Sequence, residues 1–221
     1  MPFSTEHIDQ FYERRSQRDD LKKNVKIGIF GSFYGSRKTD LLSLKQFLHS
    51  AGYNPGISED LDMLKEKDLT KRDLLGNRKL SEHLILTSVI HIFVLVRSRP
   101  DEPDNLIQSV SMEIERLHTL NDCGLKSAKY VAVYTEKGLI GTMGSVCEGL
   151  LLSKKGDWVV EEFTGIQDIF KPARQFCLNR LGHNLKMIWL LINSCRKYPQ
   201  FEFISLRSWG YDPACLAKIS Y

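Results

Sequence analysis

The sequence predicts a doubly wound α/β domain: a mostly parallel five-stranded sheet with helices on both faces and a C-terminal helical extension. Three observations lead there. Short β-rich runs alternate with helical periodicities, the pattern of strands joined by crossover helices. One run, Val89 to Val96, is apolar on both faces, as a strand covered from both sides must be. The 221 residues can bury one sizeable core without disulfides or metals, and two full domains would be a squeeze.

The elements follow in order. Residues 1–24 carry the alternating-sign stretch Arg14 to Lys23, which suits a solvated helical leader with little core. Val25 to Phe30 (V-K-I-G-I-F) is the first strand, ended by Gly31-Ser32. Leu41, Leu42, Leu44, Phe47 and Leu48 then mark a helix, stopped at Ala51-Gly52, and Tyr53 to Ile57 forms a short strand whose Pro55 and Gly56 suit a sheet edge. After the polar Ser58-Glu59-Asp60, charged helical sequence leads through Leu80–Thr87 into Val89–Val96, the expected sheet centre. A Pro-containing loop from Arg97 to Asp104 precedes a helix to Leu120, and Tyr130 to Tyr134 is the fourth strand. Ser145–Leu152 predicts a short helix, Trp158–Val160 a fifth strand and Ile166–Leu181 a closing helix. Residues 25–181 thus form the domain. Residues 182–221, apolar at Leu185, Ile188, Trp189, Leu191 and Ile192 and rich in aromatics, are expected to pack on it or on a second copy in a homo-oligomer.

Composition removes several classes. With 42% apolar and 26% charged residues the chain is neither disordered nor fibrous, and no apolar run approaches the roughly 20 residues needed to cross a bilayer. Met1 to His7 has no apolar signal core, so a cytoplasmic protein is expected. The five cysteines (Cys123, Cys147, Cys177, Cys195, Cys215) are scattered without C-x-x-C spacing, and the histidines lack ligand spacing, which predicts reduced thiols, no metal and no cofactor. Of the net charge of +4, the segment from Lys171 to Tyr221 holds eight bases against two acids, leaving the rest at −2. Without a dense basic block this argues for a solvated face and against nucleic acid.

Open parallel sheets bind ligands beyond the carboxyl ends of their strands where the strand order reverses, which in a flavodoxin-like order lies between the first and third strands. The loop after the first strand, Gly31-Ser32-Phe33-Tyr34-Gly35-Ser36-Arg37-Lys38-Thr39, offers glycines for close backbone approach, hydroxyls for ribose or phosphate oxygens, and aromatic rings for stacking. It is not a P-loop: three residues separate its glycines instead of four, and Ser36-Arg37 intervenes before Lys38-Thr39. On the helix after the third strand, Ile107, Val110, Ile114 and Leu117 share one stripe. Glu113 lies about 80° from its centre, at the rim of the buried face, and Glu115 about 120° away, towards solvent. Were Ser109 to cap this helix, the dipole would favour an ionised Glu113, as a nucleophile or oxocarbenium stabiliser requires. The plainer reading is a boundary glutamate paired with Arg116 or a lysine.

The combination of Ile27-Gly28-Ile29-Phe30-Gly31-Ser32, an acidic segment after the second strand, Ser88 to Leu95, and Ser109-Val110-Ser111-Met112-Glu113-Ile114 resembles the nucleoside 2-deoxyribosyltransferase-like group, which shares a flavodoxin-like fold with TIR-type NAD hydrolases. The resemblance covers about residues 25–180. It implies that Glu113 attacks or stabilises C1′ of a ribose or deoxyribose as the base departs. It also implies that Gly31, Ser32 and Phe33 hold a nucleoside, nucleotide or NAD-like ligand, with Tyr34, Ser109 and Ser111 as further substrate-binding candidates. Two alternatives accompany it. One is a non-catalytic nucleotide-sensing or protein-interaction module on the same fold. The other rests on Gly144-Ser145-x-x-Glu148, part of the signature of lysine-decarboxylase-like phosphoribohydrolases, although a loop and helix cap is the better account of those residues. His91 reads as a core histidine satisfied by a neighbour, and Cys147 as an inert thiol.

Overall fold

The computed structural model describes residues 18–61, 74–102, 106–125, 130–143, 149, 151 and 158–182. A helical lead-in at 18–24 enters β1 (Lys26–Phe30), followed by α1 (Gly35–Ser50), β2 (Asn54–Gly56), α2 (Leu74–Thr87), β3 (Ile90–Leu95), α3 (Leu106–Asp122), β4 (Tyr130–Glu136), β5 (Val159–Phe163) and α4 (170–182). The sheet order is β2-β1-β3-β4-β5 and every pairing is parallel. This is the flavodoxin-like order, and the reversal falls between β1 and β3 as expected.

Two apolar layers hold the sheet. Ile92 and Val94 of β3 pack with Ile27, Ile29, Ala132 and Tyr134 against Leu41, Leu44 and Leu48 of α1 and Ala173, Phe176 and Cys177 of α4. Phe93 and Leu95 face the other way, with Phe30, Val131 and Val133, against Leu84 and Ile85 of α2 and Val110, Ile114 and Leu117 of α3. Alternation along each strand divides its side chains between the two faces, so all six residues of β3 are buried. Each fully buried aliphatic side chain contributes about 1.5–3 kcal/mol by leaving water, so this strand is the stability centre.

Close packing also dictates a glycine. A Cβ on Gly31 would stand 2.7 Å from Leu41 Cδ2 and 3.2 Å from the Val94 carbonyl oxygen. The chain can therefore leave β1 tight against both neighbours only without a side chain there. Gly35 opens α1 at φ +50°, a left-handed backbone that favours glycine.

Some boundaries differ from expectation. β5 extends to Phe163 instead of Val160. The closing helix begins as a 3-10 turn at Ile166–Ile169. The expected leader before residue 18, most of the short helix at 145–152, the Gly144–Glu148 motif and the extension after 182 lie outside the described residues.

Candidate active site

The loop after β1 occupies the predicted place at the switch point. Ser32 is buried and its Oγ accepts the Tyr34 amide at 3.3 Å, an interaction that shapes the loop itself. Phe33 packs against the α1-side core, whereas Tyr34 is 47% exposed and available to a stacking ligand. Beside this loop lies a pair that sequence reasoning missed. Arg37, in the first turn of α1, donates from Nε to Glu102 Oε1 at 3.2 Å and from Nη2 to Glu102 Oε2 at 3.3 Å. Its Nη2 also donates to the Arg97 carbonyl at 2.9 Å. The Arg99 amide and the Arg37 guanidinium hold the Glu102 carboxyl below the ordinary glutamate range. The partners are 65 residues apart in a loop without periodicity, so no local signal announces them.

Glu113 lies elsewhere, in a groove of about 380 Å3 between α2 and α3, lined by Arg78, Ser81, Glu82, Ile85, Ser109, Met112, Glu113 and Arg116. Both helices start at the carboxyl edge of the sheet. At a rise of 1.5 Å per residue, Glu113 stands roughly 10 Å below the start of α3. The structure thus joins Glu113 with Ser109 and lines their groove with none of Gly31, Ser32, Phe33 and Tyr34. Ser111, two residues from Glu113, leaves the helix in nearly the opposite direction and is absent from the groove. Glu115 is exposed, as its helical angle required.

The electrostatics of Glu113 reverse the sequence expectation. Because α3 begins at Leu106, Ser109 lies inside the helix and is not its cap. Glu113 therefore sits about two turns in, beyond the reach of the helix dipole, which fades within the first turn. Burial governs instead and pushes its carboxyl up to about 7, opposed only in part by the Ser81 hydroxyl, which donates to Glu113 Oε1 at 2.5 Å. The expected ion pair with Arg116 is replaced: Arg116 turns to Glu82 at 3.5 Å, and Glu82 also holds Arg78 at 3.1 Å. A carboxyl that exchanges its proton near neutrality thus shares its groove with Arg78 and Arg116, both held by Glu82.

Two other polar side chains lie in the core. His91 is fully buried, stacks with Phe30 and bonds through Nε2 to the Ile85 carbonyl at 3.0 Å, as expected of a core histidine. Cys177 is buried in the α1-side core, where burial pushes its thiol up to about 12. Among the described residues no helix is long and apolar enough to cross a membrane.

Strand order, crossovers and two covered faces define the chain as a doubly wound, flavodoxin-like α/β protein. No protein-family model matches it, and no curated protein does. Among solved structures it is similar to the CMP N-glycosidase BcmB of Clostridium botulinum, with a TM-score of 0.44 and 12% identity over 68% of this chain and 98% of that one.

Proposed function

We propose that the protein cleaves or transfers at the N-glycosidic bond of a nucleoside, nucleotide or NAD-like ligand, with Glu113 as the working carboxyl. The observation that carries this reading is the state of Glu113: partly buried on a groove wall, hydrogen-bonded by Ser81 and titrating near 7. Efficient proton transfer is favoured when the catalytic group titrates near the working pH. The groove volume lies within the range of small-molecule sites, and the exposed Met112 offers apolar surface to a base.

In the proposed reaction the C1′–N bond breaks and its electron pair leaves with the base. Ionised Glu113 stabilises the positive charge developing at C1′, or takes the proton of the attacking water. In hydrolysis, water supplies hydroxyl to C1′ and its proton ends on the departing base; in transfer, a second base takes the place of water.

A second reading, a non-catalytic sensing or interaction module, is favoured by the Arg37–Glu102 pair beside the switch-point loop. Incubating the protein with deoxynucleosides, nucleoside monophosphates and NAD, then measuring free base by chromatography, separates the two. The first reading expects base release that falls at least a hundredfold, about 10²–10⁴ being the worth of a positioned acid or base, in Glu113→Gln. No release from any of these substrates overturns it and leaves the second.

A further inference from the structure

The switch point holds two charges for which chemistry at Glu113 has no use. The Arg37 and Glu102 side chains are 9% and 6% exposed, so the pair is largely covered by its neighbours although it lies near the surface. Covering charges is costly, and an ion pair held this way often stabilises a fold no more than apolar side chains of the same volume. Packing alone therefore gives no reason for charge at this place.

The segment that carries Glu102 is attached by polar links. Arg97, Arg99, Pro100 and Asp101 are exposed, no apolar residue from 97 to 102 belongs to the core, and the Glu102 side chain is turned inward. Besides Arg37, the segment's attachments include the Arg97 amide to Glu136 Oε2 at 2.8 Å and Arg97 Nη2 to the Gly138 carbonyl at 3.1 Å. A strap fastened by charge and hydrogen bonds can be displaced by a competing anion, whereas one anchored by buried apolar groups cannot. Arg37 adjoins the β1 loop, its own amide bonded to the Tyr34 carbonyl at 3.0 Å.

We propose that Arg37 is an anion-binding residue masked by Glu102, whose carboxylate takes the place of a ligand's phosphoryl group until the 97–102 strap is displaced. The two-pronged guanidinium that now holds a carboxylate is equally suited to a phosphoryl group. The ligand class is a small molecule carrying such a group, entering between the carboxyl ends of β1 and β3. This assignment stands whether or not the α2–α3 groove is catalytic.

The test is calorimetric titration of the full chain with inorganic pyrophosphate at constant ionic strength, with circular dichroism melts to verify the fold of each variant. Glu102→Gln removes the competing charge at nearly constant size and is expected to bind at least tenfold more tightly than the parent. Glu102→Asp, which shortens the carboxylate, is expected to give a smaller gain. Adding Arg37→Met to Glu102→Gln is expected to abolish binding. The proposal is overturned if both folded Glu102 variants bind no more tightly than the parent, or if the double variant still binds. Loss of the fold in both Glu102 variants would make the pair structural and overturn it as well.

Discussion

Glu113 holds its proton against an ordinary glutamate's tendency to lose it, and this has a cost with a definite sign. In the unfolded chain the group titrates near 4.5 and in the folded one near 7. Below pH 4.5 both states are protonated and the fold loses nothing; between 4.5 and 7 the unfolded chain ionises first, so stability falls as pH rises. The full gap is worth on the order of 3 kcal/mol, an upper bound that the open side of the groove reduces. Glu113→Gln should therefore melt at a higher temperature than the parent at pH 8 and at the same temperature at pH 4, while losing base release. Stability gained with activity lost marks a functional group, whereas a supporting ion pair would show the opposite. The Ser81 hydrogen bond works against burial, so Ser81→Ala should move the midpoint of the pH–activity profile upward, and Ser81→Thr should restore it. The rim position of Glu113 was legible from its angle on the stripe. Ser81 was not, because a contact 32 residues away leaves no mark in local periodicity.

At the scale of elements, β4 ends in an inconsistency. Thr135 is fully buried opposite Leu95 of β3, and its hydroxyl has no hydrogen-bond partner among the described residues. An unsatisfied buried hydroxyl costs about 1–3 kcal/mol, so Thr135→Val should stabilise the protein by about 1 kcal/mol. Urea denaturation would register this as a higher midpoint at unchanged slope. The apolar stripe of α3 was legible because burial repeats with the helical period: Val110, Ile114 and Leu117 are in the core and Ile107 packs against it. The start of α3 was not. Ser109 resembles a cap, yet the helix extends beyond it to Leu106, which removes the dipole from the account of Glu113 and leaves burial in charge.

For the whole molecule, stability should be graded from the centre of the sheet outward. Amide exchange should be slowest in β3 and β4, slower than in the three-residue edge β2 and the half-exposed edge β5. Equal protection across the five strands would contradict the two-layer account of the core. The alternation of strands and helices, the doubly covered β3 and the solvent-facing Glu115 follow from the sequence alone, because burial imposes its period on neighbouring residues. The strand order was expected by analogy with flavodoxin-like sheets and is fixed by the pairing of strands in space. Tertiary structure alone decided which distant polar groups meet: Glu102 with Arg37, Glu82 with Arg116, and Glu113 with Ser81 in a groove that the β1 loop does not line. These contacts join segments distant along the chain, and a carboxyl's proton affinity depends on what surrounds it in space.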